Sequence, residues 1–410
     1  MSQGQLRIGA AFAVAAMFAA PAALAQERSA FYGGPPPVPE FAPAFDGQTR
    51  APIITSPFEL ETREIAGGLT EPWALEVMPD GRIMVTEQAG RLRIVDGDGN
   101  VSQPIEGVPE VDYRDQGGLL DLALAPDFAT SREIFLTYSE PRGGGKNTTS
   151  AVRARLSQDE RSLEGVTRIF RQEPAWQSTK HFGSRIVFQN DDTLWIGLGE
   201  RSHPEPRQLA QDLSSHLGKV VRIHRDGSVP ADNSFADGAN GALPEIWSYG
   251  HRNIQTAMRH PQTGALWAIE HGPRGGDEVN VAAAGVNYGW PVISYGENYS
   301  GTPIGAGISK KAGMAQPNYY WSPVIAPSGG AFYEGAMFPE WDGDLLVGGL
   351  KDKMVVRLRV EGERVVGEDH LLKGIGRVRD VKVLRDGSLA LLTDNKSNGQ
   401  IIRVSRAPAS

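Results

Sequence analysis

One unit recurs along the chain: a turn built on Asp-Gly or a close variant, a short β-prone run, a second turn and another β-prone run. It is clearest at Pro79-Asp80-Gly81, followed by Ile83–Glu87 and, past Gly90, by Arg91–Val95. Asp-Gly between two such runs is the strongest short-range hairpin signal a sequence offers. The unit returns at Asn190-Asp191-Asp192 with residues 193–196 and 219–223, at Gln262-Thr263-Gly264 with residues 265–268, at Asp342-Gly343 with residues 345–347 and 354–358, and at Asp386-Gly387 with residues 389–391 and 400–404. A sixth candidate lies between Leu119 and Tyr138. Copies spaced by roughly 40 to 80 residues, with insertions between them, are what a β-propeller with embellished loops produces. The chain is therefore expected to be all-β, a six-bladed propeller of four-stranded antiparallel blades. A β-sandwich would give the unit no reason to recur. Helix should be sparse, with residues 208–215 the best short candidate.

The N-terminal end reads differently. Arg7 gives a positive start, Ile8 to Leu24 is apolar and Ala-rich, and Ala23-Leu24-Ala25 is a small-residue cleavage signal, so residues 1–25 are expected to be a secretory leader cut after Ala25. Pro21 and the small residues weigh against a membrane anchor. Residues 26–57, with Gly33-Gly34-Pro35-Pro36-Pro37, read as an extended arm rather than a packed element, and residues 58–410 as the propeller. No later stretch is long and apolar enough to span a bilayer, so a soluble periplasmic or secreted protein is expected. The chain has no cysteine. Stability must then come from a large core, and metal is a further source. A formal charge of −8 without a basic patch argues against nucleic acid as a partner.

Two turn-rich stretches concentrate reactive side chains: Trp247-Ser248-Tyr249-Gly250-His251-Arg252-Asn253 and Glu270-His271-Gly272-Pro273-Arg274-Gly275-Gly276-Asp277-Glu278. Arg252 and Asn253 pair a fixed cation with an amide, a combination suited to an anionic or carbonyl-rich ligand and equally to a salt bridge between blades. The Gly272-Pro273 bend followed by two acids suits a hard cation, because such bends expose carbonyl oxygens. His181, beside a glycine at the start of a β run, is a candidate general base. Spacing alone fits a satisfied structural histidine at least as well. Lys351, Arg377 and Arg379 stand at strand entries, where solvated charge is the common reading and convergence on carboxylates the sharper one.

In order, Gly68-Leu69-x-x-Pro72-Trp73, Gln116-Gly117-Gly118-Leu119-Leu120-Asp121, His181-Phe182-Gly183, Ala210-Gln211-Asp212, Gly250-His251-Arg252-Asn253-x-Gln255, Gly272-Pro273 with Asp277-Glu278, Asn287-Tyr288-Gly289-Trp290-Pro291, Leu350-Lys351 and Arg377-x-Arg379-Asp380 resemble the soluble pyrroloquinoline quinone (PQQ)-dependent sugar dehydrogenases, the glucose/sorbosone dehydrogenase family, and within it the aldose sugar dehydrogenase branch. The likeness runs from about Glu61 to Val404. It implies a six-bladed propeller with PQQ across its mouth, oxidising the anomeric carbon of aldoses to lactones by hydride transfer to PQQ. It implies His181 as proton acceptor and Arg252 as a cofactor contact that stabilises charge on the quinone. Asn253, Gln116, Tyr299, Lys351, Arg377 and Arg379 would meet cofactor or sugar, the three last cations pairing with PQQ carboxylates. The carbonyls of Gly272 and Pro273 would hold an active-site Ca²⁺, and Glu278 and Tyr288 a second calcium. The electron acceptor beyond PQQ is unidentified, and the likeness is compatible with a monomer or a homodimer.

Three departures from that pattern bear on substrate. Ser184 stands where a second glycine is usual, and is expected to narrow the approach to the base. Glu200 replaces a sugar-contacting Asp, a change that should move the carboxylate by about 1.5 Å, one C–C bond. Residues 202–206 are an insertion beside the same rim. A propeller that binds a sugar or a partner without turnover is the competing expectation, since one fold hosts many functions. A calcium-dependent lactonase would need more acidic ligands at the axis than the sequence supplies.

Overall fold

The computed structural model of the protein describes Met1 and residues 31–408, and in it six antiparallel sheets close into a ring. Blade 1 holds Pro72–Val77, Ile83–Glu87 and Arg91–Val95. Blade 2 holds Leu119–Leu124, Glu133–Pro141, Asn147–Leu156 and Leu163–Arg171. Blade 3 is Gly183–Phe188, Thr193–Leu198, Lys219–His224 and Ile246–Tyr249, and blade 4 is Ile254–Arg259, Leu266–Glu270, Asp277–Val281 and Tyr319–Trp321. Blade 5 is Pro327–Phe332, Leu345–Gly349, Met354–Glu361 and Arg364–Leu371. Blade 6 is Val378–Val383, Leu389–Thr393 and Gly399–Arg406, completed on its outside by Leu60–Leu69 from the other end of the chain. The expected propeller is the fold. In blade 1 the fourth position is only sketched: Val101 bridges Val95, and the N–H groups of Ser102 and Ile105 donate to the carbonyls of Ile94 and Leu92 at 2.8 and 2.9 Å.

The Asp-Gly-type turns all connect an innermost strand to its second strand. Asp80 Oδ1 accepts from the N–H of Arg82 at 3.0 Å, and Asp386 Oδ1 from the N–H of Ser388 at 3.0 Å. That side chain mimics a backbone turn, while Gly81 and Gly387 take the left-handed φ of 90° and 82° that the bend requires. Blade 2 has the short helix Phe128–Ser131 at this point instead. The repeats therefore mark one end of the molecule. The opposite end, where innermost strands begin, is left to irregular loops of six different blades.

Innermost strands touch their neighbours all the way round, and a separate apolar cluster fills each of the six gaps between blades. The gap between blades 3 and 4 holds Val187, Trp195, Val220, Ile254 and Leu266, all nearly or fully buried. At roughly 1.5–3 kcal/mol per large apolar side chain, one gap outweighs the roughly 2–4 kcal/mol of a disulfide. A chain without cysteine has no need of one.

The arm is a packed strap along the part described. Ala51 and Gln48 are fully buried, Ile53 bridges Glu368 at the edge of blade 5, and Gln48 Nε2 donates to the Pro317 carbonyl at 2.8 Å. Composition hid this because the partners are main-chain groups and one glutamine. Helix is sparse as expected but displaced: Pro204–Gln208 runs into a 3₁₀ turn at Leu209–Gln211, so the expected 208–215 segment begins early and stops short. Pro204 at the first helical position presets the local φ. No helix of the described residues is long and apolar enough to cross a membrane. The expected leader and its cleavage point lie outside the described residues.

Candidate active site

Loops from all six blades enclose a cavity of about 960 Å³ at the irregular end. Trp73 and Gln88 come from blade 1, Gln116 and Leu120 from the entry to blade 2, and Phe182 and Gly183 from the entry to blade 3. Blade 4 gives Asn253, Gln255 and His271. Lys351 belongs to blade 5, and Arg377, Arg379 and Asp394 to blade 6. Beneath lies a buried charge network at the propeller axis, in which Arg185 donates to Asp121 and Asp380 at 2.8 and 3.2 Å and covers the ring of Trp73 at 4.3 Å.

His181 immediately precedes two cavity-lining residues and is held at several points. Gln116 Oε1 accepts its backbone N–H at 2.9 Å, and its Nδ1 lies 2.7 Å from Glu200 Oε1. A carboxylate only accepts, so Nδ1 carries the hydrogen and the Nε2 lone pair is free. Among the described residues Nε2 has no hydrogen-bond partner. Gly199 makes this packing possible, because a Cβ there would stand 2.0 Å from the His181 carbonyl oxygen. Burial, then the charge of Arg252, holds the imidazole pKa below its ordinary 6.5 against the upward pull of Glu200. The site thus presents a neutral base.

Glu200 is where the sequence reading needs correction. Both of its oxygens are engaged, one by His181 and the other by the N–H of Ser202 at 2.8 Å, and it is 1% exposed. It stands behind the imidazole instead of facing a sugar. Ser184 also departs from expectation: it is fully buried, lies against the Gly183 carbonyl and lines neither cavity, so it does not narrow the approach to His181.

Arg252 lines a second, small cavity of about 10 Å³ with Glu270, Gly272, Pro273, Glu278 and Tyr288, and His271 is shared with the large one. Arg252 Nη1 donates to the carbonyls of His271 and Gly272 at 2.9 and 2.7 Å, and its plane covers Trp290 at 5.1 Å. The Arg252 carbonyl accepts from the N–H of Glu200 at 3.0 Å, which joins this cluster to the base. Asp277 pins the bend: its oxygens accept the N–H groups of Gly272, Ile325 and Ala326 at 2.7, 2.9 and 2.8 Å. Burial pushes Asp277 up to about 7, opposed by those three donors and by Arg252. Burial and the neighbouring Glu270 carboxylate push Glu278 well above its usual range.

Across the large cavity Arg377 and Arg379 share one carboxylate, Asp394, at 3.1 and 2.8 Å, so the pair keeps a net positive charge. Arg379 Nε is buried without a partner, and Lys351 Nζ donates only to the Val324 carbonyl at 3.1 Å. This wall suits an anionic ligand. Among the described residues no group of three or more His, Cys, Asp or Glu could hold a metal. A hard cation at the Gly272-Pro273 bend would therefore depend on carbonyl oxygens, with the carboxyl groups of Glu270 and Glu278 lining the same small cavity.

Of the residues expected from sequence, Gln116, Asn253, Lys351, Arg377 and Arg379 share the large cavity, and Arg252, Gly272, Pro273, Glu278 and Tyr288 the small one. Tyr299 lines neither and is 77% exposed. His271 and Asp394 were not singled out as site residues. His271 donates from Nε2 to the Pro327 carbonyl at 2.6 Å, and burial drives it down to about 3, so it stays neutral. Its place one residue before the Gly-Pro bend was the available signal.

The family model for glucose/sorbosone dehydrogenase matches residues 69–403. The chain is 43% identical over 356 residues to the aldose sugar dehydrogenase YliI of Escherichia coli (strain K12), covering 86% of this chain and 95% of that one. The crystal structure of the soluble aldose sugar dehydrogenase of Escherichia coli in its apo-form superposes with a TM-score of 0.80 at 41% identity, over 85% of this chain and all of that one. The PQQ-bound form of the aldose sugar dehydrogenase of Streptomyces coelicolor superposes with a TM-score of 0.69 at 27% identity, over 86% of this chain and all of that one. With the fold, the cavity and these matches spanning most of its length, the chain belongs to the glucose/sorbosone dehydrogenase family.

Proposed function

We propose that the protein is an exported quinoprotein that oxidises the anomeric carbon of aldoses to lactones, with PQQ and Ca²⁺ as cofactors and His181 as general base. Family membership makes it an oxidoreductase acting on sugars. The finer reading is carried by one arrangement: a neutral imidazole backed by a carboxylate, at the edge of a cavity whose other wall is a cluster of cations. A sugar binder without turnover has no use for a base set against a carboxylate-binding wall. When bound, PQQ supplies the two-electron acceptor for the hydride, and Ca²⁺ the Lewis acid that favours the reduced form.

The chain's own residues do the rest. Arg377, Arg379 and Lys351 would take the cofactor carboxylates, and the unpartnered Nε of Arg379 gives that anion a waiting donor. The carbonyls of Gly272 and Pro273 would face the metal, with Arg252 beside them as a fixed positive charge. Glu278 and Tyr288, which line the small cavity together, would serve a second cation. His181 takes the hydroxyl proton of the anomeric carbon onto Nε2, and Glu200 steadies the imidazolium that results.

Adding PQQ and Ca²⁺ to the purified apo-protein is expected to give aldose-dependent dye reduction. Ligand at about 100 times its Kd should add about 2.7 kcal/mol of stability, read as a rise in melting temperature. No turnover with any of several aldoses, together with no PQQ-dependent rise, would leave a sugar- or partner-binding propeller as the better account. Export rests on the leader alone: the mass of the protein recovered from the periplasm or medium should correspond to a chain starting at Gln26. A full-length mass in the cell would defeat it.

A further inference from the structure

Arg201 is 1% exposed, and among the described residues its side chain makes no direct ion pair with a carboxylate. Its Nη2 donates to the Ser178 carbonyl at 2.7 Å and to Asn147 Oδ1, while Nε and Nη1 are buried without partners among the described residues. In return the Ser178 hydroxyl donates to the Arg201 carbonyl at 2.7 Å. The guanidinium carbon lies 3.7 Å from the centre of the Phe182 ring. One side chain thus reaches residues on both sides of His181. The backbone between is strained: His181, Arg201 and Ser202 have φ of 52°, 73° and 64°, a region that residues with a Cβ enter only when their surroundings insist.

We propose that Arg201 is a positioning residue for the proton acceptor, gripping the segment from Ser178 to Phe182 so that His181 stays seated on Glu200. This rests on the assignment of His181 as the base. A guanidinium kept out of water with two empty donors is a costly way to fill space. Its planar face and fork are what allow one group to stack on Phe182 and bond Ser178 together. Its charge also opposes that of Glu200. Glu200 draws the His181 pKa up, Arg252 and Arg201 draw it down, and His271 is the other titratable group close enough to interact.

The test compares Arg201→Met and Arg201→Lys in the full chain. Arg201→Met is expected to lower kcat by about 10- to 100-fold with KM changed by less than about twofold. In the cofactor-free protein the His181 imidazole, followed by NMR, should titrate at higher pH than in the wild type. Arg201→Lys keeps the charge and loses the stack and fork, so His181 should titrate near its wild-type pH while kcat still falls. A folded Arg201→Met protein with wild-type kcat, or with an unmoved His181 titration, overturns the proposal. If that variant has no cooperative melting transition, Arg201→Lys, which keeps the charge but loses the bond to the Ser178 carbonyl and the stack on Phe182, decides. A fall in kcat at unchanged KM supports the grip, and unchanged kcat refutes it. His181→Ala with full turnover would defeat the base assignment, while the NMR shift remains a separate reading of Arg201.

Discussion

Replacing His181 with alanine is expected to lower kcat with aldoses by at least about 10²-fold, the scale on which a positioned general base acts. The imidazole is neutral at assay pH, since burial and Arg252 hold its pKa below the ordinary value. Its Nδ1–H is committed to Glu200 at 2.7 Å, and Nε2 is the free acceptor. None of the described residues lining the adjacent cavity offers this. His271 is also neutral, but at a pKa of about 3 it is too weak a base to hold a proton near pH 7. Cofactor binding should survive, because the cationic wall of Lys351, Arg377 and Arg379 does not bond to His181. Steady-state dye reduction and the PQQ-dependent melting shift, measured on the same preparation, separate the two effects. Turnover at the wild-type rate would place the proton acceptor elsewhere.

Glu200→Gln is expected to lose about 10²- to 10⁴-fold in kcat, the upper end being what an amide costs in a Ser-His-Asp triad by stabilising the wrong tautomer. An amide N–H facing Nδ1 would move the ring hydrogen to Nε2, which then has no lone pair for the substrate. The sign of the pH effect follows from the charges. Glu200 raises the His181 pKa, so its removal lowers it further. The acidic limb of kcat/KM, expected below the ordinary imidazole range in the wild type, should move to still lower pH in the variant. A limb that moved upward, or a variant with normal turnover, would show that Glu200 does not act through His181.

How far the sequence could be read follows from the range of the interactions involved. Asp80-Gly81 and Asp386-Gly387 form their turns through contacts two residues apart, so each hairpin is written in a few consecutive letters. Five such units and a sixth β-rich stretch leave little besides a ring of blades. The arm was misread for the opposite reason. Its anchors, Gln48 to the Pro317 carbonyl and Ile53 to Glu368, join residues about three hundred positions apart and carry no local pattern. Glu200 was placed in the sugar pocket because the family resemblance puts a sugar-contacting Asp at that position. Its hydrogen bond to His181 shows a supporting part instead, and Arg201 carried no sequence signal at all.

Local chemistry by itself determined the blades and marked the stretches that hold candidate reactive groups, His181, Arg252, the Gly272-Pro273 bend and the late cations, whose roles came from the family resemblance. Tertiary structure alone decided that Arg252 and the Gly272-Pro273 bend fall into one cavity and the late cations into another, the two sharing His271, that Glu200 backs His181, and that Arg201 bonds the segment on which His181 stands. Ring closure is the reason. It brings loops separated by scores of residues within hydrogen-bond reach, and the charge each group feels there depends on neighbours that no short stretch of the chain contains.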